Sequence, residues 1–377
     1  MAKRILYLQF TNPAGYPPLE HGSRMLADMG WSVTFLGAGA FGEAERLRFP
    51  GHPGIRVKAI PYAHGAPVRK LLYLAYCGWA LAHALFRRPR WIYASDPLSC
   101  LPALLAAAVS HAALVYHEHD SPPPSGGTRS LRMRLRDRVA RTARLCVLPN
   151  ADRAARFARE TGTRTPVLCV WNCPGRDEVS LRSPPPRTLL FYHGSLNAER
   201  LPFAVLLAMA ALPERVQLHF AGYAPTGSRS YPRDFLAEAG RLGLADRVRF
   251  LGTLDRRTEL LAACREATVG LALVPIRSAD PNMSAMAGAS NKPFDYMACG
   301  LALVVSALPE WTAMYVDPGY AIACDPGDPR SIAAAIARLD EDAEATRRMG
   351  ERGARRILEE WNYETQFSPV MARIDGP

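Results

Sequence analysis

The chain has 377 residues, of which 49% are hydrophobic and 21% are charged. This composition excludes a largely disordered protein, and the length exceeds what one compact core usually holds, so we expect two domains. The net charge of +11 comes almost wholly from arginine, because the chain has only four lysines.

Short apolar runs rich in branched residues alternate with longer helical patterns along the first half of the chain. Alternation of this kind predicts βαβ units and a mainly parallel sheet. The predicted strands are residues 5–10, 32–36, 55–60, 91–94, 113–116, 145–148 and 167–170.

The same alternation restarts after a proline-rich, glycine-containing break at residues 171–187, which we interpret as a linker. The second set of predicted strands is residues 188–192, 216–221, 248–251, 267–274, 302–306 and 320–323. The predicted fold class is therefore α/β, with one doubly wound domain over residues 1–172 and another over 187–360. We expect the tail, residues 361–377, to pack back on the first domain.

Arginines recur between Arg129 and Arg164 with few acids between them, which predicts a basic surface. An ordinary solvated helix face is the alternative to an anionic acceptor or bilayer. The most membrane-like stretch, residues 71–86, is shorter than the roughly 20 residues that span a bilayer. The amino terminus shows no signal region, so we expect a cytoplasmic protein. A peripheral position at the inner membrane face is compatible with this expectation.

The segment SNKPFDYMACGLALVVSALPEW, residues 290–311, carries the clearest chemistry. Lys292 and Asp295 are three residues apart and would share one face of a helix. The lysine could meet a phosphate, while the acid accepts hydrogen bonds from ribose hydroxyls. A capped helix with a surface ion pair is the alternative.

This segment resembles the nucleotide-binding motif of glycosyltransferase family 4, the group 1 retaining enzymes of the GT-B fold. The resemblance implies two facing Rossmann-like domains with a central cleft. It also implies retaining transfer of a sugar from a nucleoside diphosphate sugar, with UDP-sugar as the leading donor, to an acceptor hydroxyl. Asn291, Lys292 and Asp295 would then bind the donor, with no metal and no further cofactor.

Other segments share the resemblance, namely residues 26–33, 170–174, 191–202, 218–223 and 248–254. In the second domain it implies that Gly194 lies in a donor-binding glycine loop. The family often has an arginine where Ser195 stands, and Arg200 lies near its usual lysine position. Many relatives carry a Glu-x7-Glu pair; Asp295 matches the second acid, but Ala287 falls at the first.

In the first domain, LVYHEHDSPP (114–123) resembles the family segment whose histidine projects into the cleft. By that match His119 is the catalytic candidate. His117 stays open, because residues two apart share one side of a strand. Two further alternatives are a purely structural role for both histidines and a metal site with Asp120.

Two strand ends provide weaker candidates. Gly15, in the loop TNPAGYPP (11–18), could bring backbone amides close to an anion or a sugar, and an ordinary proline-rich turn is the alternative. Asp96 follows the predicted strand at 91–94, at a place where the family often presents a polar residue to the acceptor. We therefore take Asp96 as a second catalytic candidate after His119.

Other functions remain open on the sequence. One is a nucleotide-sugar epimerase or hydrolase of the same fold. The other is an arginine-rich module that binds nucleic acid or membranes, although the arginines are not interleaved with the series of aromatic residues that base stacking requires. For the leading function we expect no nucleic-acid partner, and the acceptor could be a lipid-linked sugar, a polysaccharide or a small natural product.

Overall fold

A computed structural model describes residues 3–122, 130–180 and 188–376 of the chain. It divides into two compact units, one formed by residues 1–172 with 363–377 and the other by residues 173–362. Arg129 and residues 181–187 of the predicted linker lie outside the described residues. Residues 173–180, which we had placed in the linker, belong to the second unit.

The first unit contains a parallel sheet of seven strands in the order β3-β2-β1-β4-β5-β6-β7. Every neighbouring pair in this order is parallel, as the alternation of strand and helix patterns predicts. The elements, in chain order, are β1 (Arg4–Gln9), α1 (Pro17–Asp28), β2 (Ser32–Ala38), β3 (Ile55–Ile60), α2 (Ala66–Arg87), β4 (Trp91–Ser95), α3 (Cys100–Ser110), β5 (Ala113–His117), α4 (Leu131–Thr142), β6 (Leu145–Leu148), α5 (Ala151–Thr161) and β7 (Val167–Cys169).

Both faces of this sheet are covered by apolar side chains, which is why its central strands are hydrophobic without alternation. Leu6 and Leu8 of β1 pack on one face against Tyr76 of α2. Ile5 and Tyr7 pack on the other face with α1. The core thus fixes the strands, and the loops that follow them are free to carry chemistry.

The second unit contains a parallel sheet of six strands in the order β10-β9-β8-β11-β12-β13. Its elements, in chain order, are β8 (Leu189–His193), α6 (Ala204–Ala210), β9 (Gln217–Ala221), α7 (Tyr231–Arg241), β10 (Val248–Phe250), α8 (Arg257–Arg265), β11 (Val269–Ala272), α9 (Asn291–Ala298), β12 (Ala302–Ser306), α10 (Pro309–Trp311), β13 (Ala321–Cys324), α11 (Pro329–Glu341) and α12 (Ala343–Glu359).

A last helix, α13 (Tyr363–Asp375), belongs to the first unit. It buries Phe367, Val370 and Ile374 in the apolar layer beneath β1. The indole of Trp91 donates a hydrogen bond to the Ile374 carbonyl at 3.0 Å, and Lys3 pairs with Asp375 at 2.7 Å. The chain therefore returns to its first unit after completing the second.

The basic segment is only in part the surface that the sequence predicts. Arg132, Arg134 and Arg138 of α4 are exposed, whereas Arg136 of the same helix is buried. Among the residues that the structure describes, no helix is both long enough and apolar enough to cross a membrane.

Candidate active site

In each sheet the order in which successive strands are added reverses at one point, between β1 and β4 in the first unit and between β8 and β11 in the second. Ligands of open parallel sheets bind beyond the carboxyl ends of the strands at such a switch point. The residues that follow β4 and β8 include the candidates Asp96 and Gly194. Each switch point is described separately below.

In the first unit, the structure brings Asp96 and His119 together. The Asp96 carboxylate accepts a hydrogen bond from the backbone amide of His119 at 2.9 Å. The His119 ring nitrogen Nε2 lies 3.0 Å from the Ser95 hydroxyl. Asp96 itself has a φ of 64°, a conformation that costs energy for a residue other than glycine. Side chains of β4 and of the segment after β5 thus form one polar cluster.

His119 and His117 differ in what they can reach. Their rings lie 3.9 Å apart, but His117 is fully buried while His119 is 6% exposed. The Tyr93 hydroxyl lies 2.7 Å from His117 Nδ1. One ring nitrogen of each histidine, Nδ1 of His119 and Nε2 of His117, is buried without a hydrogen-bond partner among the described residues. The small exposure of His119, and not its hydrogen bonding, is what places it nearer to a ligand than His117.

The pKa values separate the roles of these side chains. Burial lowers the pKa of His119 to about 3, so its ring is neutral at physiological pH. Proton exchange near neutrality, which the intrinsic pKa of histidine allows, is thus disfavoured at this position. Burial and the nearby charge of Asp120 raise the pKa of Asp96 to about 7. The carboxyl, not the imidazole, is the group suited to general base work near pH 7.

The sequence pattern does not predict a buried ion pair that lies next to this cluster. Glu118 and Arg136 are both buried, and their two hydrogen bonds measure 2.5 and 2.7 Å. The Tyr116 hydroxyl donates to the same carboxylate at 2.8 Å. The pairing spans 18 residues, so no local spacing indicates it. Because Glu118 lies between His117 and His119 in the chain, its pairing with Arg136 holds the segment after β5 in place.

The loop that contains Gly15 forms a turn in the structure. The Gly15 amide already donates to the Asn12 carbonyl within this turn, and the φ of Gly15 is not in the left-handed region that favours glycine. Pro17 and Pro18 open α1, and proline has no backbone N–H to donate. A contact between the Gly15 amide and an anion or a sugar therefore stays a prediction, because this amide already has a partner within the chain.

In the second unit, glycines allow Lys292 to lie over the loop after β8. Gly194 has a φ of 116°, and a Cβ there would lie 3.0 Å from Lys292 Cε. A Cβ on Gly222 would lie 1.9 Å from the Gly194 carbonyl oxygen, so that position requires glycine as well. The amino group of Lys292 also lies 5.5 Å from the centre of the Tyr192 ring. The predicted glycine loop and the predicted lysine are thus neighbours.

Lys292 is held as a partly buried cation next to another cation. Burial and the charge of Arg200 lower the pKa of Lys292 to about 7, although Asp295 opposes the shift. Arg200, whose register the sequence left uncertain, therefore belongs to the same cluster. Two cations that disfavour each other in the absence of a ligand would both be stabilised by a diphosphate.

The Asp295 carboxylate is buried and already has a charged partner. Asp295 is 1% exposed, and Arg257 of α8 donates to its two oxygens at 2.6 and 3.3 Å. The same guanidinium binds both oxygens of Glu178, at 2.6 and 2.9 Å. The alternative of a surface ion pair does not describe this acid, because Asp295 lies in a buried network. Arg257 and Asp295 are 38 residues apart along the chain.

His193 connects this network to the end of β8. Its ring nitrogen Nε2 lies 3.5 Å from the Asp295 carboxylate. Burial, with the charges of Lys292 and Arg257, lowers the pKa of His193 well below its usual value, so the ring is neutral. Its backbone amide donates to the Tyr296 hydroxyl at 3.1 Å. His193 was not among the predicted residues, although it directly precedes Gly194.

Asn291 is the first residue of α9 and is partly exposed. Amides in the first turn of a helix have no partner within the helix, and this end of the helix dipole is positive. Asn291 and Lys292 can supply such amides, whereas Pro293 cannot. Within residues 3–122, 130–180 and 188–376, no three histidine, cysteine or acidic side chains are grouped to hold a metal ion.

Family comparisons assign both halves of the chain to one class of enzyme. Residues 187–342 match the family model described as "Glycosyl transferases group 1". Residues 19–174 match the model described as "Glycosyl transferase 4-like domain". No curated protein sequence matches the chain significantly.

Solved structures of the same fold extend over the whole chain. HepE (Alr3699) of Anabaena, in complex with UDP and glucose, has a TM-score of 0.71 at 17% identity, covering 99% of both chains. Sucrose-phosphate synthase of Thermosynechococcus elongatus has a TM-score of 0.71 at 16% identity, covering 98% of this chain and 97% of its own. WaaG, a glycosyltransferase involved in lipopolysaccharide biosynthesis, has a TM-score of 0.66 at 14% identity, covering 99% and 100%.

The two parallel sheets and these structures define a GT-B fold of two Rossmann-like domains, which confirms the predicted fold class. A protein with this fold and these domains is a glycosyltransferase. The chain belongs to the group 1 glycosyltransferases of the family 4 kind.

Proposed function

We propose that this enzyme transfers a sugar, with retention of configuration, from UDP-sugar to an acceptor hydroxyl. The observation that carries the proposal is the cluster of Lys292, Arg200 and Gly194 at the carboxyl end of β8. The structures similar to this chain include HepE with UDP and glucose and a second HepE complex with UDP-glucose. A diphosphate leaving group is the ligand that two adjacent cations and a helix amino terminus would stabilise.

Each step of the proposed reaction has a group to serve it. As the glycosyl–phosphate bond breaks, negative charge grows on the diphosphate, and Lys292 and Arg200 would stabilise it without a metal ion. Asp96, with its pKa near 7, would receive the proton of the acceptor hydroxyl. His119 would donate a hydrogen bond to the transferred sugar or the acceptor. Attack on the donor face that the diphosphate leaves gives retention.

The role of Asp295 needs its own test. A carboxylate has more acceptor sites than the two that Arg257 occupies, so a ribose contact through Asp295 stays a prediction. Positioning of Arg257 and His193 is the role that its buried contacts favour. Arg257→Lys keeps a positive charge at this position but loses the paired hydrogen bonds to the two oxygens of Asp295. If Asp295 binds ribose, Asp295→Asn should weaken UDP binding more than tenfold, beyond the effect of Arg257→Lys.

The first experiment is a thermal-shift comparison of UDP, GDP and ADP with the full chain. A ligand that binds only the native state raises Tm, so we expect the largest rise with UDP. A larger rise with another diphosphate would change the donor base, and no rise with any of them would contradict the donor site. Lys292→Met, which keeps the length of the side chain, is the matched control and should lose the shift.

Retention is tested by the anomeric configuration of the product. The enzyme is incubated with α-linked UDP-sugars and candidate acceptors, and the new linkage is identified by proton NMR. We expect an α-linkage in the first product formed. A β-linkage would establish inversion and would require a different arrangement of the acceptor base.

A further inference from the structure

The outer face of α2 is apolar along its whole length. The exposed side chains on this face are Val68, Leu71, Leu74, Leu85 and Phe86, with Leu71 67% and Phe86 81% exposed. Residues between them on the same face are alanine and glycine. The charged residues of α2 lie at its two ends, Arg69 and Lys70 at one and Arg87 at the other. An amphipathic surface helix normally presents polar residues on this side.

The neighbouring helix α3 enlarges the apolar area. It packs along α2, its eleven residues include no charge, and it exposes Leu105 and Val109. Large contiguous apolar patches on a protein surface mark sites of interaction. We call the exposed side chains of α2 and α3 the apolar face.

The apolar face is bordered by positive charge. A pocket at the carboxyl end of α2 is lined by Arg4, Arg56, Lys58 and Arg87, together with the hydroxyls of Ser32 and Thr34, and no acid lines it. Burial lowers the pKa of the nearby His83, and the charges of Lys58 and Arg87 lower it further. On the other side of α3, the helix α4 exposes Arg132, Arg134 and Arg138. Cations on both borders fit an anionic surface.

A bilayer matches this pattern better than a second copy of the chain. Two copies joined through this face would bring clusters of like charge close together, which is unfavourable. The helix cannot span a bilayer either, because Tyr76, Ala80 and Ala84 on its inner side are buried against the sheet. A helix that keeps one side in the protein and presents an apolar side bordered by cations can lie in a membrane interface.

We propose that the apolar face docks on the surface of a bilayer containing anionic phospholipid, and that the cationic pocket beside α2 binds lipid phosphate groups. This docking is independent of the donor site, so UDP binding reports separately on the proposed function. The face brings the first unit to a lipid surface, where a lipid-linked or membrane-bound acceptor would be presented.

The test is sedimentation of the full chain with vesicles of phosphatidylcholine, with or without phosphatidylglycerol. We expect binding only to vesicles that contain phosphatidylglycerol. Leu71→Ser/Leu74→Ser/Phe86→Ser should reduce partitioning at least tenfold. The matched control is Leu207→Ser/Leu236→Ser/Leu358→Ser, which changes exposed leucines of the second unit and should bind as the wild type does.

A second pair of variants tests the cationic pocket. Arg56→Gln/Lys58→Gln should reduce partitioning about 25-fold, because each cation near an anionic surface contributes about fivefold. Arg233→Gln/Arg330→Gln removes the same charge from exposed positions of the second unit and should have little effect. Circular dichroism and UDP titration on every variant separate loss of docking from loss of folding or of the donor site.

Four results would overturn the proposal. The first is no binding of the wild type to either kind of vesicle. The second is undiminished binding of the Leu71, Leu74 and Phe86 variant, which would assign the attraction to arginines alone. The third is a stable dimer in analytical ultracentrifugation that this variant abolishes, which would make the face an interface between copies. A rise in Tm with inorganic phosphate that is lost in the Arg56 and Lys58 variant, without vesicle binding, would likewise replace lipid by free phosphate.

Discussion

The carboxyl edges of the two sheets have the same architecture and opposite chemistry. After β4 and β5, the first unit presents the neutral ring of His119 and the carboxyl of Asp96, whose pKa is about 7. After β8, the second unit presents Lys292 and Arg200, and burial together with the charge of Arg200 lowers the pKa of the lysine to about 7. One edge suits the activation of a hydroxyl, and the other suits the stabilisation of a diphosphate.

The contrast shows that the fold supplies position while the strand-end residues supply function. Both units bury an arginine between carboxylates close to the site, Arg136 with Glu118 and Arg257 with Glu178 and Asp295. Neither arginine reaches far toward solvent, since both side chains are less than a tenth exposed. The charges that remain accessible at each edge are therefore the ones that distinguish the two.

The largest expected effect separates His119 from His117. His119→Ala should lower kcat/KM by about 10²–10³, the range for loss of one donor that acts in the transition state. UDP affinity should hardly change, because the cations of the second unit carry it. Steady-state turnover with direct titration of UDP measures both. His117→Ala should instead lower Tm, since it removes a buried partner of Tyr93; full activity of the His119 variant would end its catalytic assignment.

Stability should depend more on the buried arginine of the second unit than on the exposed cations. Arg257→Met leaves Glu178 and Asp295 buried near each other without their counterion, so we expect a loss of about 3–5 kcal/mol in unfolding free energy. Urea unfolding measures it. Arg256→Met, at the preceding exposed position, is the control and should change little. Equal stability of the two variants would show that the network contributes nothing.

The pH dependence of the unfolding free energy should reveal the raised pKa of Asp96 at the carboxyl edge of the first unit. Because burial raises the folded-state pKa of Asp96 above its unfolded value, its ionisation opposes folding. The stability that the protonated Asp96 carboxyl contributes is fully present below about pH 4, and it is lost as pH rises to about 7. Relative to Asp96→Asn, the wild type should lose up to about 4 kcal/mol across this window, at about 1.4 kcal/mol per pKa unit. Parallel stability curves for the two proteins would contradict the raised pKa.

The smallest effect concerns Lys292. Its pKa of about 7 should rise when a diphosphate binds, so UDP binding at pH 8 should take up close to one proton. Calorimetry in two buffers of different ionisation enthalpy measures the uptake. Lys292→Met should abolish it and weaken UDP about tenfold or more, while uridine, which has no phosphate, should bind as before. The same loss for UDP and uridine would remove the phosphate contact.

Sequence pattern predicted the fold well, because buried parallel strands are continuous apolar runs. The predicted strand at residues 302–306 is β12, and the run at 5–10 begins and ends within one residue of β1. Lys292 and Gly194 were found for a related reason, since the glycine loop and the helix start leave local signatures. Their proximity could not be read from the sequence, because the contact joins residues almost a hundred positions apart.

The buried partners of the site were beyond prediction for the same reason. Arg257 and Glu178 are 79 residues apart, and nothing in the local pattern of either residue indicates a buried pair. The pKa of His119 could not be anticipated either, because it depends on burial, which periodicity gives only for whole faces of an element. Gly15 shows the same limit, because a glycine in a proline-rich loop fits both an anion site and an ordinary turn until the partner of its amide is known.

The return of α13 to the first unit has a consequence for synthesis. The ribosome delivers residues 1–172 early, yet Tyr363, Phe367, Val370 and Ile374 complete the apolar layer of that unit and emerge last. The first unit must therefore wait with part of its core open while the whole second unit is made, although amino-terminal domains usually fold first. A chain that stops after Asn362 is expected to be cleaved in its first unit during limited proteolysis, while the second unit survives.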